Sequence, residues 1–162
     1  RLAKATKVVA LTIPSAELGT PFNQEVEHLR ELVRIATLEG VLVSIKTQVG
    51  RLSQDPDTIV VLCDNVKGLG VTLDPTTFVC GPYASRGYDN ILKYVHNVHL
   101  RDSRKEAPQV RVGLGDIEYS KVITSLRRFS YRRGLCVHMV PMEGVDHDTE
   151  LRKMRRLLES ML

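Results

Sequence analysis

The chain has 162 residues, 43% of them hydrophobic and 26% charged, which is typical of a folded domain with a sizeable core and excludes a disordered or fibrous chain. The formal net charge of +4 suits an anionic small molecule as well as a nucleic acid. No apolar run approaches the roughly 18 residues of a membrane helix, and no signal peptide is recognisable, so we expect a cytoplasmic protein. Cys63, Cys80 and Cys136 lack metal-site spacing, so we expect reduced thiols.

The first half of the chain alternates apolar runs with amphipathic segments. Residues 7–13 and 41–47 are short and almost continuously apolar, as expected for strands of a buried parallel sheet. Between them, Thr20-Pro21 is a helix-start signal and Gly40 a helix-stop signal, while Asp55-Pro56 predicts the start of a second helix. We predict that the inward faces of these helices carry Phe22, Val26, Leu29, Val33 and Ala36 in the first, and Ile59, Leu62, Cys63 and Val66 in the second.

The second half continues the same alternation. Runs of Val, Ile and Leu predict strands, and apolar residues spaced three and four apart predict helices. In the last two helices the inward residues are expected to be Val122, Ile123, Leu126 and Phe129, and Leu151, Met154, Leu158 and Met161. In chain order we predict a strand at 69–74, a short helix at 88–94, a strand at 95–102, a helix at 117–132, a strand at 135–140 and a helix at 148–162.

Five strand-helix units in a row predict a parallel α/β sheet with right-handed crossovers. A closed eight-stranded barrel takes about 250 residues, or roughly 31 per unit, so a chain of this length accommodates about five units. An open dinucleotide-binding sheet is disfavoured because residues 14–19 contain no GxGxxG. We therefore predict one domain, residues 1–162, that forms an incomplete (β/α)8 barrel. Because exposed strand edges invite association, we expect a homo-oligomer or completion by a segment upstream of Arg1.

Polar side chains recur at the ends of four predicted strands. Lys46, Asp74, His99 and His138 each lie two residues after another polar or small side chain, with Val, Ile or Leu between. A period of two places such residues on one face of a strand. Because the carboxyl ends of neighbouring parallel strands meet at one edge, we predict that these four side chains converge at a common rim.

The fourth strand and the loop after it are the most polar part of this pattern. Residues 95–102 alternate apolar and polar side chains, which predicts a strand with one apolar face and one face that carries Asn97, His99 and Arg101. The loop at residues 103–116 is unusually long, and long loops after a strand are where barrel enzymes keep substrate contacts. Arg101 and Lys105 are the candidates for binding a phosphate or an acidic sugar.

Four short segments stand out together: Leu73-Asp74-Pro75, Val98-His99-Leu100-Arg101-Asp102, Val112-Gly113-Leu114-Gly115-Asp116-Ile117 and Leu135-Cys136-Val137-His138. In order and spacing they resemble the C-terminal portion of the sugar phosphate isomerase/epimerase family, whose members have the xylose-isomerase-like barrel and are related to endonuclease IV. The resemblance covers essentially the whole chain and implies strands four to eight of a TIM barrel, with the first three units absent.

The resemblance implies a divalent-metal site, but this chain departs from it. Family members hold the metal with a glutamate, an aspartate, a histidine and a second glutamate, and use it to polarise a hydroxy-ketone. Asp74 and His99 match, whereas Lys46 and His138 stand where the family has its glutamates. The histidine usual shortly after the aspartate is also missing, because residues 75–78 are Pro-Thr-Thr-Phe. The ordinary proton-transfer mechanism therefore loses both carboxylates, and what remains is Asp74, His99 and His138 as ligands for Zn, Mn, Mg or Fe.

Each candidate also has a structural interpretation. Asp74 before Pro75 can cap a turn, and His99 can be a hydrogen-bonded core residue. Lys46 is a catalytic base or Schiff-base amine if its charge is suppressed, but a salt bridge to Asp74 is the simpler expectation. For Arg101 and Lys105 the simpler expectation is a solvated loop face.

Two functions follow from these alternatives. The first is a sugar phosphate isomerase or epimerase, dependent on a divalent metal if it is active. The second is a non-catalytic barrel relative that binds a carbohydrate-like ligand or a protein partner. Whether the chain is an enzyme stays open because both family carboxylates are replaced. A nuclease is disfavoured because a three-metal cluster needs more His, Asp and Glu than this rim supplies, and we do not expect a nucleic-acid partner.

Overall fold

The computed structural model describes residues 2–162, which form one five-stranded parallel sheet. Its strands pair in chain order, each with the next, so every connection crosses over a helical segment. The predicted parallel strand-helix units are thereby confirmed. The strands are β1 (Ala10–Pro14), β2 (Leu42–Lys46), β3 (Leu69–Leu73), β4 (Val95–Leu100) and β5 (Leu135–Val137).

The helices lie between the strands in sequence, as the periodicity predicts. Three short helical elements, Leu2–Ala5, Leu52–Gln54 and Thr77–Cys80, were not predicted, and the predicted helix at 88–94 is a 3-10 helix. The α-helices are α1 (Leu2–Ala5), α2 (Phe22–Leu38), α3 (Pro56–Asn65), α4 (Thr77–Cys80), α5 (Tyr119–Arg128) and α6 (His147–Glu159), and the 3-10 helices are Leu52–Gln54 and Asp89–Tyr94.

The sheet is strongly curved. Thr12 on β1 and Thr72 on β3 lie on opposite sides of β2, yet their Oγ1 atoms are 2.8 Å apart. Asn97 on β4 reaches Thr12 Oγ1 with its Nδ2 at 3.5 Å. In a flat sheet, strands two apart are separated by about 9.5 Å, which threonine side chains cannot span. These contacts require a concave polar face, so the five strands form part of a barrel wall with β1 and β5 at its edges.

The hydrophobic core lies between the convex face of the sheet and the helices. Outward-facing strand residues such as Ile45, Val71 and Leu100 are fully buried against the helices. Burial of each such side chain contributes about 1.5–3 kcal/mol. The predicted inward faces of α2 and α3 are confirmed, because their core residues are buried or partly buried. Phe129 is a wrong prediction: α5 ends at Arg128, and Phe129 in the next position is 39% exposed.

The predicted helix-capping residue is confirmed for α3 but not for α2. The Asp55 carboxylate accepts hydrogen bonds from the backbone N–H groups of Asp57 and Thr58, as the Asp-Pro signal predicts. Thr20 was expected to cap α2, but the N-cap position is Pro21 and no side chain caps the helix. The last helix begins one residue earlier than predicted, at His147, because Asp146 caps it.

A β-bulge in β4 determines which of its side chains lie on the concave face of the sheet. The register shifts between Val71 and Thr72, whose partners are Val95 and Asn97, so His96 is an extra residue. Gly70 makes room for it, since a Cβ at that position would lie 1.9 Å from His96 Nδ1. The bulge leaves Asn97 and His99 on the concave side while Val98 and Leu100 stay in the core.

Candidate functional site

Three charged side chains meet at the carboxyl ends of β2, β3 and β4. Lys46 Nζ and Arg101 Nη2 each lie 3.1 Å from the same atom, Asp74 Oδ2. The carboxylate side chain is 1% exposed, whereas Lys46 and Arg101 are 17% and 20% exposed. The expected salt bridge between Lys46 and Asp74 is therefore confirmed. Arg101, at the end of β4, forms a second salt bridge with the same carboxylate.

Two threonines hold Asp74 in place. Thr47 Oγ1 donates a hydrogen bond to the Asp74 carbonyl at 3.0 Å and accepts one from its N–H at 2.8 Å, which ties the end of β2 to the end of β3. Thr76 N–H donates to Asp74 Oδ1 at 3.1 Å, and Arg101 Nε donates to Thr76 Oγ1 at 3.3 Å. Neither threonine was predicted; the available signal was a short polar residue close after each strand, Thr47 directly after β2 and Thr76 three residues after the end of β3.

A buried serine pair fixes the backbone of Lys46. Ser53 Oγ donates to the Lys46 carbonyl at 2.6 Å, and Ser15 Oγ donates to Ser53 Oγ at 2.9 Å. Ser53 N–H donates to Ser15 Oγ at 3.0 Å. Because both serines are almost fully buried, this network rigidifies the start of the lysine side chain.

Two histidines form the other side of the rim. The rings of His99 and His138 are stacked, with centroids 4.4 Å apart and planes 7° from parallel. Burial, then the neighbouring His138 and Lys46, lower the pKa of His99 to about 4. Burial and then Lys46 lower the pKa of His138. Both imidazoles are therefore neutral at pH 7, and His99 Nε2 lies 3.2 Å from the Asn97 amide nitrogen.

The rim carries one net positive charge at neutral pH. Lys46 and Arg101 are cations, Asp74 is their shared anion, and the two imidazoles are neutral. A half-buried surplus of positive charge beside polar side chains favours a ligand with an anionic group.

The predicted metal ligands do not fit a metal ion as they are arranged. An imidazole binds a metal through a lone pair in its ring plane, and one ion cannot lie in the planes of two stacked, nearly parallel rings. Asp74 is already shared by two cations, which would repel a divalent ion. Across residues 2–162, no group of three or more His, Cys, Asp or Glu side chains could hold a metal ion. The expected divalent metal gains no support from this geometry.

Lys105 is the second residue expected to bind substrate. It is exposed in a turn closed by reciprocal backbone hydrogen bonds between Arg104 and Ala107. Of the two residues expected to bind substrate, the structure brings only Arg101 into contact with Asp74.

The long loop after β4 is organised by a buried carboxylate. Asp102 Oδ2 accepts hydrogen bonds from the N–H groups of Gly113 at 2.8 Å and Gly115 at 3.0 Å, and Oδ1 accepts from Ser103 N–H at 3.2 Å. A Cβ at position 115 would lie 1.9 Å from Asp102 Oδ1, so only glycine fits there. Asp102, Gly113 and Gly115, which belong to the family-like segments, therefore fix the backbone conformation of this loop.

The described helices include none that is both long and apolar enough to cross a membrane.

Comparison with known proteins identifies the fold. No protein-family model and no curated protein matches this chain. Among solved structures, a xylose isomerase domain protein from Planctomyces limnophilus matches 98% of this chain with a TM-score of 0.76 and 19% identity, over 60% of its own length. A D-tagatose 3-epimerase-like protein matches 98% with a TM-score of 0.74 and 18% identity, over 65% of its length.

A third solved structure is a xylose isomerase-like TIM barrel protein from Mycobacterium smegmatis in complex with magnesium. It matches 99% of this chain with a TM-score of 0.76 and 17% identity, over 65% of its length. The chain thus spans 60–65% of the length of these three structures. At such low identity the likeness shows the fold alone: five parallel strands with flanking helices that form part of a xylose isomerase-like TIM barrel.

Proposed function

We propose that this chain binds a carbohydrate-like small molecule with an anionic group at the rim, and does so without a metal ion. The observation that carries the proposal is the sharing of Asp74 Oδ2 by Lys46 and Arg101. In a metal-dependent isomerase this carboxylate would be available to the metal, whereas here two cations neutralise it and leave one positive charge for the ligand. Sugar epimerases among the structures with this fold favour a sugar as the ligand class.

The proposal is tested by calorimetry with D-glucuronate, D-glucose 6-phosphate and D-glucose as probes. We expect an acidic probe to bind and D-glucose to bind at least about tenfold more weakly, because the neutral sugar gains no charge-assisted hydrogen bond. Arg101→Gln is expected to remove the preference, while Lys105→Gln, which changes an exposed residue of the loop after β4, is the matched control. Equal affinity for all three probes, or no binding at all, would overturn the proposal.

The metal-dependent isomerase or epimerase remains the second candidate, favoured by the match of Asp74 and His99 to the family ligands and by the magnesium complex of one protein with this fold. Metal content after dialysis against Zn²⁺, Mn²⁺ or Mg²⁺ separates the two. We expect less than one equivalent to be retained. A full equivalent that is lost in His99→Ala would support the metal-dependent candidate instead.

A further inference from the structure

The guanidinium of Arg101 has N–H groups that the described residues leave unused. Its Nε donates to Thr76 Oγ1 at 3.3 Å. Nη2 lies 3.1 Å from Asp74 Oδ2, yet that oxygen accepts no aligned hydrogen bond, so this contact is one of charge. Within residues 2–162 the two terminal nitrogens donate no hydrogen bond. A guanidinium has five N–H donors in one plane, so four of the five stay available to a ligand.

Thr76 fixes the orientation of this guanidinium. The threonine is buried, and its backbone N–H donates to Asp74 Oδ1 at 3.1 Å. Asp74 is in turn tied to Thr47 by two hydrogen bonds of its own backbone. The hydroxyl that receives the Arg101 Nε–H and the carboxylate beside it thus belong to one braced turn after β3. A guanidinium held in place before the ligand arrives loses little side-chain freedom on binding.

Asp74 is shielded from a ligand by its two cations. Its side chain is 1% exposed and Oδ2 is buried, whereas Lys46 and Arg101 keep 17% and 20% of their side chains exposed. A molecule that approaches from solvent therefore meets the cations before the carboxylate. The terminal nitrogens of Arg101 donate in parallel within one plane, which suits an acceptor group with two oxygens.

The charge of the group decides which anion fits. A carboxylate and a phosphate can both accept two parallel hydrogen bonds from a guanidinium. Lys46 and Arg101 bring two positive charges to one buried carboxylate, which leaves a surplus of one. A carboxylate ligand neutralises this surplus. A phosphate ester carries about 1.5 to 2 negative charges at pH 7, so part of its charge would stay uncompensated beside buried Asp74.

We infer that the anionic group taken by this rim is a carboxylate rather than a phosphate ester, so that the ligand is a sugar acid of the uronate type, and that Thr76 is the positioning residue behind this selectivity. The inference rests on the proposed function, which requires only that the ligand be acidic. Lys46 attracts either anion as a point charge, whereas Arg101 presents a fixed plane. Selectivity for the planar group therefore depends on how Thr76 holds Arg101.

The test compares D-glucuronate with D-glucose 6-phosphate by calorimetry at pH 7.5. The two probes carry a carboxylate or a phosphate at the same end of the same sugar. We expect D-glucuronate to bind at least about tenfold more tightly, because its single charge matches the surplus of the rim.

The positioning role is tested with conservative variants. Thr76→Val keeps the size of the side chain but removes the hydroxyl, and we expect the ratio of the two affinities to fall below about threefold. Thr76→Ser keeps the hydroxyl and should retain the ratio. Arg101→Lys keeps the charge without the planar fork, so it should bind both probes with little preference. Thr124→Val, on the exposed face of α5, is the matched control and should behave as the wild type.

The outcomes separate this inference from the proposed function. Equal affinity for the two acidic probes, with D-glucose bound more weakly, overturns the carboxylate assignment while the binding proposal stands. Tighter binding of D-glucose 6-phosphate does the same. A preference for D-glucuronate that persists in Thr76→Val overturns the role of Thr76. If neither acidic probe binds, the inference and the proposed function both fail.

Discussion

His99 and His138 lie face to face, with ring centroids 4.4 Å apart and planes only 7° from parallel. The sequence places both at strand ends, where they are candidates for one metal ion, but stacked rings direct their lone pairs into parallel planes. Together with the two cations on Asp74, this arrangement favours recognition of an anion over coordination of a cation.

Acid should destabilise the protein through this histidine pair. The pKa of His99 is lowered to about 4, below the value of 6.5 for an ordinary histidine, by burial, His138, Lys46 and Arg101, against the opposite effect of Asp74. The unfolded state therefore binds more protons than the folded state, so stability is retained above pH 6.5 and lost as the pH falls from there toward about 4. His138 acts in the same direction.

This pH dependence is measured by urea unfolding at pH 7.5 and pH 5. We expect His99→Gln to make the loss of stability on acidification smaller than in the wild type. His28→Gln changes an exposed residue of α2 and serves as the control. Identical pH dependence in wild type and His99→Gln would contradict the assignment of this effect to His99.

Removing the Asp74 carboxylate should lower the stability of the protein most when both of its cations, Lys46 and Arg101, are still present. Asp74→Asn leaves Lys46 and Arg101 close together without their anion, and we expect the free energy of unfolding to fall by about 3 kcal/mol. Adding Lys46→Met to this variant relieves the repulsion. A double-mutant cycle from urea unfolding should give a coupling of about 1–3 kcal/mol between the two positions, and strict additivity would show that the ion pair is energetically silent.

Asp102 is expected to be structural. It accepts backbone hydrogen bonds from Ser103, Gly113 and Gly115, so Asp102→Ala should cost about 2–4 kcal/mol and speed amide exchange of residues 103–116. Asp116→Ala removes an exposed carboxylate from the same loop and is the control. Protection of the Gly113 and Gly115 amides that survives Asp102→Ala would refute this role.

The β-bulge predicts that a destabilising substitution at Gly70 is compensated by a second substitution at His96. Gly70→Ala should destabilise the fold by about 1–3 kcal/mol, because the new methyl group overlaps the His96 ring. Combining it with His96→Ala removes the overlap, so the double variant should be more stable than the sum of the single effects allows. Thermal unfolding of the four proteins checks this, and additive losses would mean that the ring moves aside freely.

Self-association is expected for residues 1–162 expressed alone. Strand β1 lies at the edge of the sheet, and its Leu11 and the preceding Val9 are 42% and 67% exposed. Light scattering after size-exclusion chromatography should show a dimer or larger species, and Leu11→Lys should shift it toward monomer. Leu114→Lys, in an exposed part of the loop after β4, should not. A monomeric wild type would show that the β1 edge does not drive association.

Much of the fold can be predicted from local sequence patterns. Runs of Val, Ile and Leu between helix-start and helix-stop signals are enough to predict five parallel strands, because each unit carries its own periodicity. Boundaries were less accurate: β1 begins at Ala10 rather than at residue 7, and β5 ends at Val137 rather than at residue 140. The extent of a strand depends on pairing with its neighbours, which local patterns do not contain.

The sequence by itself determined which side chains reach the rim, because alternation along a strand and the shared direction of parallel strands place Lys46, Asp74 and His99 at one edge. Only the tertiary structure decided what they form there. The curvature of the sheet brings Arg101 onto the same oxygen as Lys46 and stacks His138 on His99. Distances across strands depend on curvature and on the bulge at His96, and those distances leave Asp74 shared by Lys46 and Arg101 rather than free for the predicted metal ion.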